Sequence, residues 1–292
     1  MTPLDRFRLI ARAFTRPVLE DMGRRGTAAM IGEKLSCLGV GRGQSVVNVG
    51  GLFDAGLEEI RQAYRCEYVY KAAIASRIVF GRHSPRTSSL AVELGVDGSI
   101  VDAAVFNGTA TAYEVKTEFD SPARLTTQTP SYLRAFDHVF VVTHPNCADR
   151  YRNILDPRVG LLALNADNSL SLVRDAESDP HRVEPEVVFR MLRRPEYTKI
   201  VEQHFGPQPV LPNGLVHAHY RALFRQLSSL QAHVALVATM RARTTDEKSV
   251  AFLRALPKSL RALGYATPLS APQRERVLAC LASTVDRVFA PL

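Results

Sequence analysis

The chain has 292 residues, 46% of them apolar, with 37 Lys and Arg against 29 Asp and Glu. That length spans more than one typical domain and fewer than three, with ample material for a core. No run of eighteen uncharged apolar residues occurs, which excludes a membrane-spanning helix, and Cys37, Cys66, Cys147 and Cys280 form no C-x-x-C pair, which argues against the usual zinc spacings and a disulfide framework. Isolated cysteines of this kind read as small core residues in a reducing compartment. The net charge of +8 is unevenly placed. Residues 181–292 carry 16 basic and 8 acidic side chains, whereas residues 1–180 carry 21 of each. A basic surface suits a polyanion such as nucleic acid; a helical domain with ordinary solvated charges accounts for the composition equally well.

In chain order, Met1 to Pro17 scatters Arg6, Arg8, Arg12 and Arg16 among apolar residues at helical spacing. It lacks the continuous apolar stretch of a secretory signal, and a cytoplasmic setting is expected. A mostly helical pattern runs from Leu4 to Tyr70, broken at Gly39–Gly51 (GVGRGQSVVNVGG), which lacks the spacing and lysine of a phosphate loop and reads as a turn. Glu67 to Phe80 gives an amphipathic helix ended by Gly81.

Three strands follow, Leu90–Val96, Ile100–Phe106 and Ala110–Lys116, separated by Asp97-Gly98-Ser99 and Asn107-Gly108-Thr109. Asp-Gly and Asn-Gly between strand-like runs signal hairpins, so an antiparallel meander is expected. A helix should begin after Lys116 with Asp120 as N-cap and Pro122 in its first turn. Val139–Thr143 is a continuous apolar run of the kind buried on both sheet faces. A helix at Ala148–Ile154 and a strand at Gly160–Leu164 complete an α/β (α+β-like) pattern, a mixed central sheet flanked by helices. The polar stretch Arg174–Pro185 marks a boundary, and helical periodicity fills 186–206, 216–243, 247–263 and 271–289. The expected organisation is an N-terminal helical segment (1–62), a central core (63–180) and a basic helical C-terminal domain (181–292).

The chemistry concentrates on the second hairpin. Residues equidistant from Asn107-Gly108 face each other, which sets Asp102 level with Glu114. Glu114 and Lys116 are two apart and point to one face, shared with Ala104, Phe106 and Ala112. Charged groups rarely enter such a face unless paired or bound to metal. Two adjacent carboxylates favour a divalent, oxygen-seeking cation such as Mg²⁺, and a lysine beside it orients water and stabilises charge developing on a phosphate. A structural salt bridge between Lys116 and a carboxylate is the competing account.

The order Asp102, then Glu114-Val115-Lys116, resembles the PD-(D/E)XK nuclease signature on adjacent strands, with Ile100-Val101-Asp102 where Pro-Asp would stand. Gln128-Thr129-Pro130-Ser131-Tyr132 resembles the Q-x-x-x-Y motif of RecB-like exonuclease domains. The stretch EVKTEFDSPARLTTQTPSYLRAFDHVFVV also looks like a group of poorly characterised bacterial and phage proteins assigned to that superfamily. The resemblance covers roughly Glu67 to Leu164. It implies a restriction-endonuclease-like core, with Asp102 and Glu114 as ligands of Mg²⁺ (Mn²⁺ substituting), the Val115 carbonyl completing the shell, and Lys116 orienting water or phosphate. Gln128 and Tyr132, at i and i+4 on one helical face, would meet phosphate or nucleotide; capping and core packing are the alternative for both. Glu67 stands where members add a further acidic ligand and is otherwise a surface carboxylate. Glu93 is one more candidate. Arg124 would cap or pair within the helix start, and His217 and His219, two apart on a helix, do not share a face.

The function so implied is metal-dependent hydrolysis of nucleic acid, DNA above all, with the basic C-terminal region holding the backbone. The alternative is a catalytically silent module that binds nucleic acid or a protein partner in a phage or defence system. A protein partner or homo-oligomer stays open; a membrane is not expected.

Overall fold

The computed structural model describes residues 1–42 and 46–284. In chain order the elements are α1 (Pro3–Ala11), α2 (Arg16–Arg25), α3 (Ala29–Cys37), α4 (Val49–Ala63), α5 (Glu67–Ile74), β1 (Ser89–Val96), β2 (Ser99–Phe106), β3 (Ala110–Lys116), α6 (Leu125–Leu133), β4 (His138–Thr143), α7 (Ala148–Ile154), β5 (Gly160–Leu164), β6 (Leu170–Arg174), α8 (Pro185–Met191), α9 (Arg194–Phe205), α10 (Asn213–Phe224), α11 (Ser229–Ala242), α12 (Glu247–Ala255), α13 (Arg261–Ala266) and α14 (Ala271–Ala282). The fold is α+β, a mixed sheet flanked by helices. Among the described residues no helix is long and apolar enough to cross a membrane.

The chain forms two compact units. One comprises Met1–Pro85, Asn165–Ser169 and the described part of Asp246–Leu292; the other comprises Arg86–Leu164 and Leu170–Thr245. This division differs from the expected segments 1–62, 63–180 and 181–292. The helices α8 to α11 belong with the sheet, because their apolar faces complete its core. Val187, Val188 and Phe189 of α8 and Ala232, Leu236 and Met240 of α11 join one buried cluster with Phe106, Tyr132 and Phe136. The polar stretch Arg174–Pro185 is a stitched turn and not a linker. Arg182 donates to Leu133 O (3.1 Å) and Asp137 O (2.9 Å), and Glu184 N donates to Arg134 O (2.8 Å).

The sheet order is β1-β2-β3-β4-β5-β6. β1, β2 and β3 form the antiparallel meander, β4 and β5 run parallel to β3, and β6 returns antiparallel to β5. The turns have local causes: Asp97 (φ 47°) and Gly98 (φ 82°) both occupy the left-handed region that a tight hairpin demands, and Gly108 (φ 116°) does so at the second turn. β3 is central, and all seven of its residues are buried. The short edge strand β6, Leu-Ser-Leu-Val-Arg, was not expected, because its residues are half-exposed and its period is weak.

Several local expectations change. The helix begun at Glu67 continues beyond Ile74 as π-helical turns, Ala75–Arg82, so Gly81 lies inside it and does not end it. Asp120 is not the N-cap after Lys116: its carboxylate accepts from Thr117 N and Oγ1 (both 2.8 Å), and Ser121 caps the 3₁₀ turn Pro122–Arg124 that leads into α6. The periods 186–206 and 216–243 each split in two, the first where the Glu196 carboxylate accepts from Arg193 N (2.7 Å) and the second at a capping box on Ser228. Residues 43–45 of the Gly39–Gly51 turn, and 285–289 of the helix expected over 271–289, lie outside the described residues. The four cysteines are free thiols, and Cys280 is the buried one; Cys37, ending α3, faces solvent.

In the unit that carries α1 to α5, Ile10, Phe14, Leu52, Phe53 and Ile60 are buried. Phe14 stacks on Tyr68 at 4.9 Å between ring centroids. The turn Asn165–Ser169 belongs to this unit through Arg61, which donates to Ala166 O, and Arg77, whose Nε donates to Asn168 O (2.8 Å).

Candidate active site

The β2–β3 ladder pairs Ala103 with Tyr113 and Ala104 with Ala112, the register that sets Asp102 level with Glu114. There the ladder changes character. Asp102 Oδ2 accepts from Val115 N at 2.7 Å, so a side-chain carboxylate stands where a strand carbonyl would. On the other flank, β1 pairs Val92 with Ala103 and Leu94 with Val101, which places Glu93 opposite Asp102. Glu93 has φ 54°. A non-glycine residue held there costs on the order of 1–3 kcal/mol, and such strain gathers at functional sites.

Glu114 and Lys116 lie on the even-numbered face of β3, with Ala112, against α6. Lys116 Nζ donates to Glu114 Oε1 at 2.6 Å and to Gln128 Oε1 at 3.3 Å. The Tyr132 hydroxyl lies 2.9 Å from Glu114 Oε2 and 2.6 Å from Ile100 O. Pro130 sits inside α6 without breaking it, so Gln128 and Tyr132 remain on one continuous helix. Glu114 is 1% exposed, Lys116 7% and Tyr132 0%. Burial pushes the Tyr132 hydroxyl far above its ordinary pKa, the Glu114 carboxylate and the Asp102 charge push it further, and Gln128 opposes them. Tyr132 therefore stays a donor. Its full burial makes it a support for Glu114 rather than a group offered to a ligand.

The structure thus brings Glu114, Lys116, Gln128 and Tyr132 into one hydrogen-bonded network, with Asp102 tied in through the Val115 amide. Glu67 lies on α5, in the other unit, where Lys71 Nζ binds its carboxylate. Among the described residues no three His, Cys, Asp or Glu side chains gather into a metal-binding set. The metal donors present at the network are the carboxylates of Asp102 and Glu114. That oxygen-only set fits a hard ion such as Mg²⁺, which keeps water or substrate phosphate in much of its shell, and does not fit zinc. His217 packs edge-on against Phe189 (5.2 Å), and His219 bonds Gln208 Oε1 (2.9 Å).

Sequence reasoning missed Asp137. This residue is 3% exposed and caps the start of β3 by accepting from Ala110 N at 2.6 Å. His138 Nδ1 and His233 Nε2 each lie 3.4 Å from its oxygens. Burial opposes its ionisation, yet the two histidines and the Ala110 amide outweigh burial and hold its pKa far below the usual carboxylate range. The signal was a charged residue immediately before a run of strand apolars, Phe136-Asp137-His138-Val139.

No curated protein matches the chain. A solved structure of a protein of unknown function from Silicibacter pomeroyi is similar at 17% identity, covering 48% of this chain and 94% of that one, with a TM-score of 0.31, too low to carry an argument. The family described as bacteriophage P4 protein cII matches residues 60–263, a span that takes in the whole sheet and every residue of the network, and the chain belongs to that family.

Proposed function

We propose that this chain is a metal-dependent nuclease of PD-(D/E)XK type, hydrolysing phosphodiester bonds of nucleic acid, DNA in the first instance, in a cytoplasmic setting. The observation that carries the reading is the convergence of Lys116 on both Glu114 (2.6 Å) and Gln128 (3.3 Å), beside the Asp102 carboxylate at the level where the β2–β3 ladder gives way.

Asp102 and Glu114 would hold Mg²⁺, or Mn²⁺ in its place, with the Val115 carbonyl. The ion, when bound, supplies Lewis acidity at the phosphodiester. Lys116 orients the attacking water and stabilises negative charge on the phosphate oxygens, an effect enlarged by the low dielectric around it. Gln128 positions the Lys116 ammonium. Tyr132 fixes the direction of Glu114. Glu67 has no part in this reading, its carboxylate being bound by Lys71. Arg221 and Arg225 both turn to Glu186, which Arg190 shares while also pairing with Asp97, and the basic excess of the region supports a phosphate backbone as its partner.

The test is cleavage of plasmid, linear and single-stranded DNA with Mg²⁺ or Mn²⁺. Asp102→Asn retains an oxygen acceptor for Val115 N and removes the charge. Its expected outcome is a loss of cleavage of at least roughly a hundredfold with an unchanged melting temperature, the size seen when one preorganised group is removed. Parent-like cleavage by Asp102→Asn would remove this assignment.

A second reading, a catalytically silent module that binds nucleic acid or a protein partner, is favoured by one observation: both Glu114 oxygens are already engaged inside the protein. Calorimetric titration with Mn²⁺ separates the two. Binding that depends on Asp102 supports the nuclease; absence of binding supports the silent module.

A further inference from the structure

The unit that holds α4, α5 and α13 contains a cleft of about 620 Å³, the size of a small-molecule site. Its charged lining is Arg61, Arg77, Lys258 and Arg261 together with Asp54, Glu58 and Asp167. Most of these charges have partners. Glu58 is held by Arg61 and Gln62, Asp167 by Ser169, and Asp54 Oδ1 accepts from Ser259 N at 3.0 Å. Arg61 and Arg77 are committed to backbone oxygens of the turn Asn165–Ser169.

Three groups of the cleft lining are left. Ser259, which lines it, is 1% exposed, and its Oγ has no hydrogen-bond partner among the described residues. Its backbone is clamped on both sides, by Asp54 at the amide and by the Tyr68 hydroxyl at the carbonyl (2.5 Å), so the hydroxyl is held in place without being used. The Arg261 guanidinium lies 4.0 Å above the Phe80 ring, and its buried Nε also lacks a partner among the described residues. Burial lowers the Arg261 pKa, against the nearby charge of Asp54 and against Tyr265, with Arg254 adding to the lowering. Lys258, one residue before Ser259, is exposed at the cleft. Lysine and arginine can only donate, so what satisfies this trio is an anion with several acceptor oxygens. Leu57, Val69 and Ala72 supply an apolar part of the lining.

We propose that this cleft binds a nucleotide-sized phosphomonoester, with its phosphoryl oxygens on Lys258 Nζ, the Arg261 guanidinium and Ser259 Oγ, and its organic part along Leu57, Val69 and Ala72. The same chemistry is offered by a free mononucleotide and by the 5′-phosphate end of a nucleic-acid strand. The site stands independently of the nuclease reading, since none of its residues belongs to that network.

The experiment is isothermal titration of the full chain in EDTA, which silences any metal chemistry at Asp102 and Glu114. The probes are AMP, adenosine, and one short oligonucleotide with either a 5′-phosphate or a 5′-hydroxyl. The expected result is binding of AMP or of the 5′-phosphorylated oligonucleotide but not of its unphosphorylated counterpart. AMP binding assigns the free nucleotide as source, and binding of the phosphorylated oligonucleotide alone assigns the strand end. Lys258→Ala, at an exposed position, and Ser259→Ala weaken that binding at least tenfold and severalfold respectively, while Asp102→Asn leaves it unchanged. No binding by any phosphorylated probe, adenosine binding as well as AMP, or parent-like affinity in Lys258→Ala would overturn the proposal.

Discussion

The pair Glu114–Lys116 is the clearest case of a residue-level decision made by the chain's own arithmetic. Hairpin symmetry about Asn107-Gly108 was enough to set Asp102 level with Glu114, and the period of two put Lys116 beside them. What the sequence did not carry was how each charge is answered: Asp102 by a backbone amide, Glu114 by a lysine and a tyrosine. Because the pair is almost wholly buried, Lys116→Met leaves Glu114 as an uncompensated buried charge. The expected cost is about 3–5 kcal/mol in denaturant unfolding, with most of it recovered in the double variant Glu114→Leu/Lys116→Met. A Lys116→Met loss below about 1 kcal/mol would mean that the two charges are solvated. Asp137 makes a pH prediction. Its carboxylate titrates well below the unfolded value of about 3.9, so it contributes stability above that pH, and the contribution disappears as the pH falls toward the folded pKa. Urea unfolding of the parent between pH 6 and pH 2 should show this loss setting in below about pH 4, and Asp137→Asn should be less stable at pH 6 with a flatter profile below pH 4. Asp120 shows why neighbouring caps misread: Thr117 offers both an amide and a hydroxyl three residues earlier, and the aspartate takes those in preference to the helix.

At the level of elements, the features that local chemistry decides were legible. Asp-Gly and Asn-Gly fixed the hairpins, and β5 and α7 fall where apolar runs and spacing put them. The misses share one cause, in that they depend on what lies across from the element. β6 forms because β5 offers it an edge, not because Leu170–Arg174 has a strong pattern. The split between α10 and α11 was readable in Ser228 and Gln231, a capping box inside what looked like one long period. Close packing on the sheet makes a further prediction. A Cβ at Gly160 would press into the Phe140 ring and lie 2.8 Å from Ala176 N. Gly160→Ala should destabilise by about 1–3 kcal/mol through overpacking, read as a lowered denaturation midpoint with an unchanged slope.

For the whole molecule, composition pointed to a break near residue 180, and packing puts the unit limits elsewhere. The charge step at residue 181 is real in the sequence, but α8 to α11 follow their apolar faces and not their arginines. A fragment ending at residue 180 lacks Val187, Phe189, Leu236 and Met240 from its core, and burial of each such side chain is worth about 1.5–3 kcal/mol. The expectation is that residues 86–245 expressed alone unfold cooperatively on heating, while residues 63–180 give no cooperative transition by circular dichroism. The opposite result would restore the boundary drawn from composition.

The assignment of the turn Asn165–Ser169 to the unit of α4 and α5 has a topological consequence. The backbone passes from one unit to the other four times, after residues 85, 164, 169 and 245. A protease acting at any one of these crossings produces a nick and no free fragment. Excising residues 86–245 requires two cuts, and the excised piece still carries the turn that Arg61 and Arg77 grip. Limited digestion should therefore yield nicked chains that co-migrate under native conditions and separate only after denaturation.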